Sequence, residues 1–267
     1  MPSTLTYNLT VSSNLVVYMS RAPLIVGNWK MHKTGEEAAA FIKTLCPHLA
    51  PLKRRVFLAP PFTAIESAVK AAKGAGITIG AQNVHDHDQG AFTGEVSSSM
   101  LKAAGAEFVI VGHSERRYLF AETNSFINRK VHRLLQEGLM PLICVGELLH
   151  EREKGSHEGV LKVQLEACLE GLDESQVLKC VIAYEPVWAI GTGKTATPSI
   201  AQSMHRLIRS FLEGKFGLNS AEKIPLLYGG SVNTETIASL MAQTNIDGVL
   251  VGGASLESAS FLKLIHF

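Results

Sequence analysis

Eight short apolar segments, spaced along nearly the whole chain, constrain the fold more than any other feature of the sequence. They are PLIVGN, RVFLAP, ITIGAQN, FVIVGH, MPLICVG, CVIAYEP, IPLLYGG and DGVLVGG. Most are continuously apolar and often β-branched, which is typical of parallel strands that are buried on both faces. Each segment stops at Gly, Pro or Asn, residues that end a strand and begin a loop.

Helical patterns separate the apolar segments. The clearest is SFINRKVHRLLQEG, where apolar residues from Phe126 to Leu135 recur at helical spacing and Gly138 can close the last turn. Eight strand and helix units in 267 residues predict a single (β/α)₈ TIM barrel, an α/β fold, with an open doubly wound sheet as the alternative. In a barrel, the chemistry lies in the loops at the carboxyl ends of the strands.

Composition excludes several classes of partner. The chain is 46% hydrophobic and 18% charged, enough to bury a large core, and its net charge of +1 gives no general attraction to nucleic acid or to a membrane surface. No apolar run approaches the roughly 18 residues of a membrane helix. Four cysteines without a C-x-x-C pair indicate neither a zinc knuckle nor a disulfide framework. We therefore expect a reducing compartment, the cytoplasm.

The first twenty residues differ from the remainder of the chain. They contain no charged side chain, so they lack the basic start of a secretory signal and the arginines of a mitochondrial presequence. Because Met19 precedes the first strand, we expect residues 1–18 to be a dispensable extension from an upstream start codon. The predicted organisation is an N-terminal extension at 1–20 and a catalytic barrel at 21–267.

Three strand ends carry candidate catalytic side chains. Strand one ends in Asn28-Trp29-Lys30, where alternation would direct Asn28 and Lys30 into the barrel mouth; a turn Asn and a surface Lys are the alternative. Strand four ends before His113, whose ring the following helix end would keep neutral, although a lone histidine is often structural. Strand six ends in Glu185, a costly place for a carboxylate unless it acts chemically or pairs with a base. His113 and Glu185 can reach one pocket as an acid/base pair.

Strands seven and eight end in glycine pairs. These are Gly229-Gly230, followed by Ser231, and Gly252-Gly253. Glycines let backbone N–H groups approach an anion closely, and the segment after strand eight opens a helix whose N-terminus adds positive potential. Each pair alone could serve a tight turn, but two pairs at adjacent strand ends predict a phosphate site.

The segment WAIGTGKT resembles a nucleotide-binding loop, yet two such interpretations fail. A Walker A loop requires Gly where Trp188 stands. The loose G-x-G-x-x-A pattern does not follow a strand immediately, which disfavours a dinucleotide site. A proline, apolar residues and two glycines instead predict a hinged lid over 186–195, with Gly191 donating its N–H to the phosphate.

His85 and His87 form an H-x-H pair that could bind a metal. No third ligand is evident at a regular spacing, so a polar loop is the favoured interpretation and no metal is expected. A metal-dependent barrel hydrolase that uses His85 and His87 remains an alternative enzyme, and a phosphate-binding scaffold barrel without catalysis is the non-enzymatic alternative. The absence of a G-x-S-x-G motif leaves serine-based acyl transfer without support.

From about Pro23 to the C-terminus, the chain resembles the triosephosphate isomerase family. The resemblance rests on GNWKMH, AQN, GAFTGE, VGHSERR, CVGE, AYEPVWAIGTGK, LYGGSV and GVLVGGASL, of which the two longest are highly specific. It implies a cofactor-free isomerase of glycolysis and gluconeogenesis that interconverts dihydroxyacetone phosphate and D-glyceraldehyde 3-phosphate.

The resemblance also implies roles, since a glutamate base, a neutral histidine and a closing lid are known for this family. Glu185 would move the proton between two carbons, His113 would polarise the carbonyl, and Lys30 would balance negative charge. Asn28 would assist Lys30, and Glu115 would be its supporting charge partner. The residues implied to hold the phosphate are Gly191, Ser231, Gly252 and Gly253.

The family is usually a homodimer in which the loop after strand three inserts into the partner. The corresponding loop is 83–95, so we expect a homodimer through it. Its first half, His85 to Gly90, is more acidic and richer in histidine than the family pattern, which leaves the strength and pH dependence of the dimer open.

Overall fold

The eight predicted segments form eight parallel strands that close into a barrel in chain order. The computed structural model describes residues 21–49, 54–190 and 195–267. The first strand pairs with the second and also with the eighth, which confirms the (β/α)₈ barrel and excludes the open doubly wound sheet. The strands are β1 Leu24–Asn28, β2 Arg55–Ala59, β3 Ile77–Ala81, β4 Phe108–Val111, β5 Met140–Val145, β6 Val181–Tyr184, β7 Leu226–Tyr228 and β8 Gly248–Val251.

Helices surround the barrel, and their ends follow from local sequence. In α5, for example, the side chain of Thr123 accepts the N–H of Phe126, and Gly138 ends the helix in the left-handed conformation with a φ of 81°. The helices are α1 Gly35–Leu45, α2 Ile65–Ala72, α3 Ser98–Ala103, α4 Ser114–Leu119, α5 Asn124–Glu137, α6 Leu149–Glu153, α7 His157–Cys168, α8 Glu174–Val177, α9 Pro198–Phe216, α10 Leu218–Ala221, α11 Ile237–Met241 and α12 Ser258–Ile265. No helix among the described residues combines the length and apolar character needed to cross a membrane.

The continuous apolar character of the strands has a simple cause: both faces of each strand are buried. Alternate residues such as Val26 and Ile110 fill the barrel interior, where the rings of Phe57 and Phe108 lie 4.9 Å apart. Their neighbours, such as Ile25, pack outward against the helices. The strands are thus sandwiched between two apolar layers, as the sequence predicts.

One charged residue lies on the buried face of α5. The side chain of Lys130 is fully buried, and its Nζ donates to Glu122 Oε1 at 2.6 Å and to Asn83 Oδ1 at 2.8 Å. Arg116 of α4 donates to the same carboxylate oxygen at 2.6 Å. This network ties the residue after β3 to the helix after β4, and it satisfies a charge that burial alone would make costly.

A second buried network lies at the N-terminal end of the barrel, away from the strand ends that carry the candidate site. Asp247 accepts from Arg209 Nη2 at 2.6 Å and from the backbone N–H of Leu226 at 2.8 Å. It also pairs with Arg21, the first described residue. The barrel therefore begins with a fixed contact at Arg21, whereas the predicted extension at 1–20 lies outside the described residues.

Acid should destabilise the fold through His205, which is fully buried in α9 against Tyr184 and Tyr228. Burial lowers its pKa from 6.5 to about 4. The unfolded chain therefore binds this proton first as pH falls, and stability is lost between the two values. From about pH 7.5 to about pH 5 the expected loss is about 2 kcal/mol. Urea unfolding at each pH measures it.

In the His205→Leu variant, the free energy of unfolding should lack the loss of about 2 kcal/mol between about pH 7.5 and about pH 5, whatever the absolute stability of the variant. His266→Leu, which removes an exposed histidine, serves as the matched control and should unfold with the parent's pH dependence. Parallel pH profiles for the parent and His205→Leu would contradict the assignment.

Candidate active site

The side chains that follow β4 and β6 meet in one pocket. His113 Nε2 lies 3.0 Å from Glu185 Oε1. Both residues are buried, with exposed fractions of 6% and 2%. The ends of β4 and β6 thus supply an imidazole and a carboxylate in direct hydrogen-bond contact. Because the surroundings have a low dielectric constant, each group strongly affects the pKa of the other.

The backbone before His113 turns sharply and fixes one tautomer of its ring. Gly112 has a φ of 70°, and a Cβ there would lie 3.1 Å from the carbonyl oxygen of Cys144, so glycine is required. His113 then caps α4, where its Nδ1 accepts the backbone N–H of Glu115 at 3.2 Å. An accepting Nδ1 carries no proton, so this hydrogen bond assigns the ring proton to Nε2, facing Glu185.

Both carboxylate oxygens of Glu185 are engaged. Besides the contact of Oε1 with His113, Oε2 accepts the backbone N–H of Ser114 at 2.9 Å. The backbone N–H of Glu185 donates to the carbonyl of Val145 at 2.8 Å, which fixes the residue at the strand end. A Cβ on Gly146 would overlap the Glu185 carbonyl, so this approach between β5 and β6 needs glycine.

Burial and charge act in opposite directions on this pair. For Glu185, burial raises the pKa of the carboxyl, but the attraction and hydrogen bond of His113 outweigh it and the pKa is lowered. For His113, burial lowers the pKa, while the Glu185 carboxylate raises it above its ordinary value. The glutamate is therefore ionised. The pKa of His113 is raised because the Glu185 carboxylate is in contact with the ring. The backbone N–H of Glu115, which donates to Nδ1, favours the neutral ring instead.

Lys30 reaches the same pocket through an unusual backbone. Its φ is 52°, a left-handed conformation that strains a long side chain. The backbone N–H of Lys30 donates to Asn28 Oδ1 at 3.1 Å, and its Nζ pairs with Glu115 Oε1 at 2.6 Å. Simple strand alternation therefore does not explain why the Lys30 side chain points into the pocket, although Asn28 and Lys30 both line it. Trp29 is buried instead, packing on Phe41.

A cavity of about 280 Å³ opens beside His113 and Glu185, and glycines form much of its wall. A Cβ on Gly229 would lie 3.0 Å from Glu185 Cγ, and one on Gly230 would overlap the Tyr228 hydroxyl. The short 3₁₀ turn Gly253–Ser255, not a full helix, begins at the cavity. The predicted residues that line the cavity are Asn28, Lys30, His113, Glu185, Ser231, Gly252 and Gly253. Gly191 lies outside the described residues.

The start of the predicted lid is anchored to the barrel. Glu147, fully buried after β5, accepts from Trp188 Nε1 at 2.8 Å, from Tyr184 at 3.0 Å and from Arg152 at 3.0 Å. Val187–Ala189 form a 3₁₀ turn, and Ile190 reaches the cavity wall. Residues 191–194 lie outside the described residues.

Sequence reasoning missed three supporting residues. Glu147 anchors the first part of the lid, Ser114 presents its N–H to Glu185, and Gln164 holds Gly146 through two hydrogen bonds of 2.8 and 2.9 Å. CVGE contains Glu147 directly after a buried strand, the same signal that singled out Glu185. Gln164 belongs to a distant helix, and nothing in its local pattern marks it.

Comparison with known proteins shows the family of this chain. The family model described as triosephosphate isomerase matches residues 23–267. The chain belongs to the triosephosphate isomerase family. It is 49% identical over 248 residues to the triosephosphate isomerase of Solibacter usitatus, covering 92% of this chain and 100% of that protein. The triosephosphate isomerases of Syntrophotalea carbinolica and Chloroflexus aurantiacus are each 48% identical over 92% of this chain, covering 98% and 99% of their own lengths.

Replacing Glu185 by Gln should lower the pKa of His113. The substitution removes the carboxylate that raises this pKa and leaves the burial that lowers it. We expect the pKa of His113 to fall below its ordinary value of 6.5, measured by NMR titration of the imidazole. Glu115→Gln is the matched control, because Glu115 is 41% exposed and its removal should produce a smaller fall. An unchanged pKa in Glu185→Gln would contradict the coupling.

Proposed function

We propose that this chain interconverts dihydroxyacetone phosphate and D-glyceraldehyde 3-phosphate through an enediolate, with Glu185 as the base. The observation that carries the proposal is the buried contact of His113 and Glu185 at 3.0 Å, beside a glycine-lined cavity that also contains Lys30. The relatives that share nearly half of its sequence are triosephosphate isomerases. An ionised acid, an imidazole and an anion site are the groups that this proton transfer requires.

Substrate binding must break the contact between the two catalytic groups. A separation of 3.0 Å between His113 Nε2 and Glu185 Oε1 leaves no space for a substrate atom between them. The other oxygen, Oε2, accepts the backbone N–H of Ser114. Both carboxylate oxygens are therefore engaged in hydrogen bonds, and neither is available to take a proton from carbon. The carboxylate therefore rotates toward the cavity, where Gly229 gives its Cγ room, and there it becomes a free base.

This rotation also prepares His113. Once the carboxylate moves away, the largest influence that raises the pKa of His113 is weakened, while burial, which lowers this pKa, and the N–H of Glu115 at Nδ1 remain. The neutral ring then directs its Nε2 proton at the substrate oxygen. As that oxygen becomes negative in the enediolate, the hydrogen bond strengthens, and Lys30 stabilises the same charge. The strained φ of Lys30, 52°, directs its ammonium group into this pocket.

The phosphate would lie against the glycine pairs at the ends of β7 and β8. Backbone N–H groups there can approach its oxygens because no side chain intervenes at Gly252 or Gly253. Ser231 adds a hydroxyl, and Gly191 adds an N–H when the lid at 186–195 closes. Binding energy from this non-reacting group can then stabilise the transition state, and the closed lid excludes water.

The proposed reaction consumes no oxidant or reductant, because substrate and product have the same composition and only protons move between carbon and oxygen atoms. Neither His85 nor His87 lines the cavity that contains Glu185, which disfavours the metal-dependent hydrolase. A scaffold without catalysis would have no use for a buried, ionised acid beside an imidazole. All four cysteines are free, consistent with a reducing location such as the cytoplasm.

Glu185→Gln should lose at least about a thousandfold in kcat, or about 4 kcal/mol of transition-state stabilisation, because an amide cannot accept the carbon-bound proton. A coupled assay of triose phosphate interconversion measures it. Glu66→Gln removes an exposed carboxylate on α2 and should retain full activity. If Glu185→Gln turned over as fast as the parent, the base would be misassigned.

A homodimer through the loop 83–95 is the proposed assembly. A second cavity, of about 450 Å³, opens beside the first and includes Met31, Phe62 and Phe120 in its wall together with His113. Met31 is 93% exposed and Phe92, at the tip of the loop, is 39% exposed. Exposed apolar groups around a pocket are typical of an interaction surface. A partner's loop seated there would cover one side of the catalytic pocket.

Met31→Asp and Phe92→Asp should each weaken self-association by about tenfold or more, because each would bury an unpaired charge in the interface. Sedimentation velocity over a range of concentrations measures the dissociation constant. Leu218→Asp is the control, since Leu218 is 58% exposed on α10, away from both surfaces, and should associate like the parent. A parent that sediments as a monomer, or two unaffected variants, would refute this interface.

A further inference from the structure

His85, Asp86 and His87 bring three possible metal ligands together in the loop after β3. The Nδ1 atoms of both histidines face one oxygen of Asp86, at 3.3 Å from His85 and 2.9 Å from His87. All three ligand atoms lie within 4.8 Å of one another. Regular spacing in the sequence did not reveal this third ligand, because it is the residue between the two histidines.

The separations are close to those of a coordinated ion. Ligand atoms that each lie about 2.1 Å from a metal are about 3.4 Å apart in a tetrahedral shell and about 3.0 Å apart in an octahedral one. The two pairs that involve Asp86 already have such distances. The histidine pair must approach further, which requires a rotation of His87, whose side chain is 57% exposed. The ion must also replace the hydrogen bond that His85 Nδ1 accepts from the backbone N–H of His87 at 3.2 Å.

Neighbouring groups orient the ligands. Arg129 binds Asp86 Oδ2 at 2.6 Å and thereby turns Oδ1 toward the imidazoles. The ring of Phe92 packs against both histidines, with centroid distances of 4.2 and 4.6 Å. Such outer contacts hold ligands in place.

Space for the remaining ligands adjoins the cluster. A cavity of about 50 Å³ is lined by both histidines, by Asp88 and by Glu95. A single water needs only about 15 Å³ of such volume, so solvent can complete the coordination shell.

We propose that His85, Asp86 and His87 bind one divalent ion of the zinc class in the loop after β3. Two imidazole nitrogens and one carboxylate oxygen suit Zn²⁺ or Ni²⁺ and are unsuited to Mg²⁺, which prefers oxygen ligands in an octahedral shell. The site is separate from the catalytic cavity, and proton transfer at Glu185 does not depend on it. The ion cross-links neighbouring residues of the loop and so makes the loop more rigid.

Isothermal titration of the metal-free, full-length chain with ZnCl₂ tests the proposal. We expect one ion per chain, and a loss of affinity of at least about tenfold in His87→Gln and in Asp86→Asn, since loss of outer contacts alone costs that much at metal sites. MgCl₂ should give no saturable heat. Co²⁺ in place of Zn²⁺ should give visible absorption that is absent in His87→Gln.

His266→Gln, which removes an exposed histidine elsewhere, should bind Zn²⁺ like the parent. Circular dichroism of His87→Gln checks that the barrel is intact. No saturable Zn²⁺ binding by the parent, or equal affinities in the parent, His87→Gln and Asp86→Asn, would overturn the proposal. Neither result bears on the proposed assignment of the catalytic residues, because the metal ligands do not line the cavity that contains Glu185.

Discussion

The closure of eight parallel strands is the constraint on which the site depends. It directs all eight carboxyl ends to one rim, so residues as distant in sequence as His113 and Glu185 come within 3.0 Å of each other. Their contact is buried, and the low dielectric makes each the main charge partner of the other. The pKa of the Glu185 carboxyl is lowered and that of the His113 imidazole is raised by the same interaction. Closing the barrel thus creates the acid/base pair and sets its charge.

This arrangement costs stability at the rim, and contacts elsewhere offset the cost. Lys30 is held at a positive φ, and Glu185 and Glu147 are carboxylates with almost no exposure. At the opposite end, Asp247 joins Arg209 and Arg21 in a buried network, and two apolar layers enclose every strand. The division agrees with the general behaviour of barrels, in which one end carries chemistry and the other carries stability.

The fold could be predicted because its signal is local and repeated: every strand is a short apolar run that a turn residue ends. His113, Glu185 and the glycine pairs could be predicted for a related reason, since each directly follows such a run. Lys30 lines the cavity, but strand alternation does not explain why, because it does not predict the left-handed backbone of this residue. The hydrogen bonds of Gln164 and Lys130 could not be predicted from the sequence. Their partners, Gly146 and Glu122, lie outside the helices that carry Gln164 and Lys130, and only tertiary packing brings them together.

The same principle of paired charges applies to the loop after β3. Its two aspartates pair with arginines of α5, Asp86 with Arg129 and Asp88 with Arg133, each at 2.6 Å. The extra acidic charge is therefore balanced within the chain, and the buried bond of Lys130 to Asn83 fixes the point where the loop leaves the barrel. None of these three contacts involves His113 or Glu185. The loop can acquire ligands of its own while the catalytic rim stays unchanged.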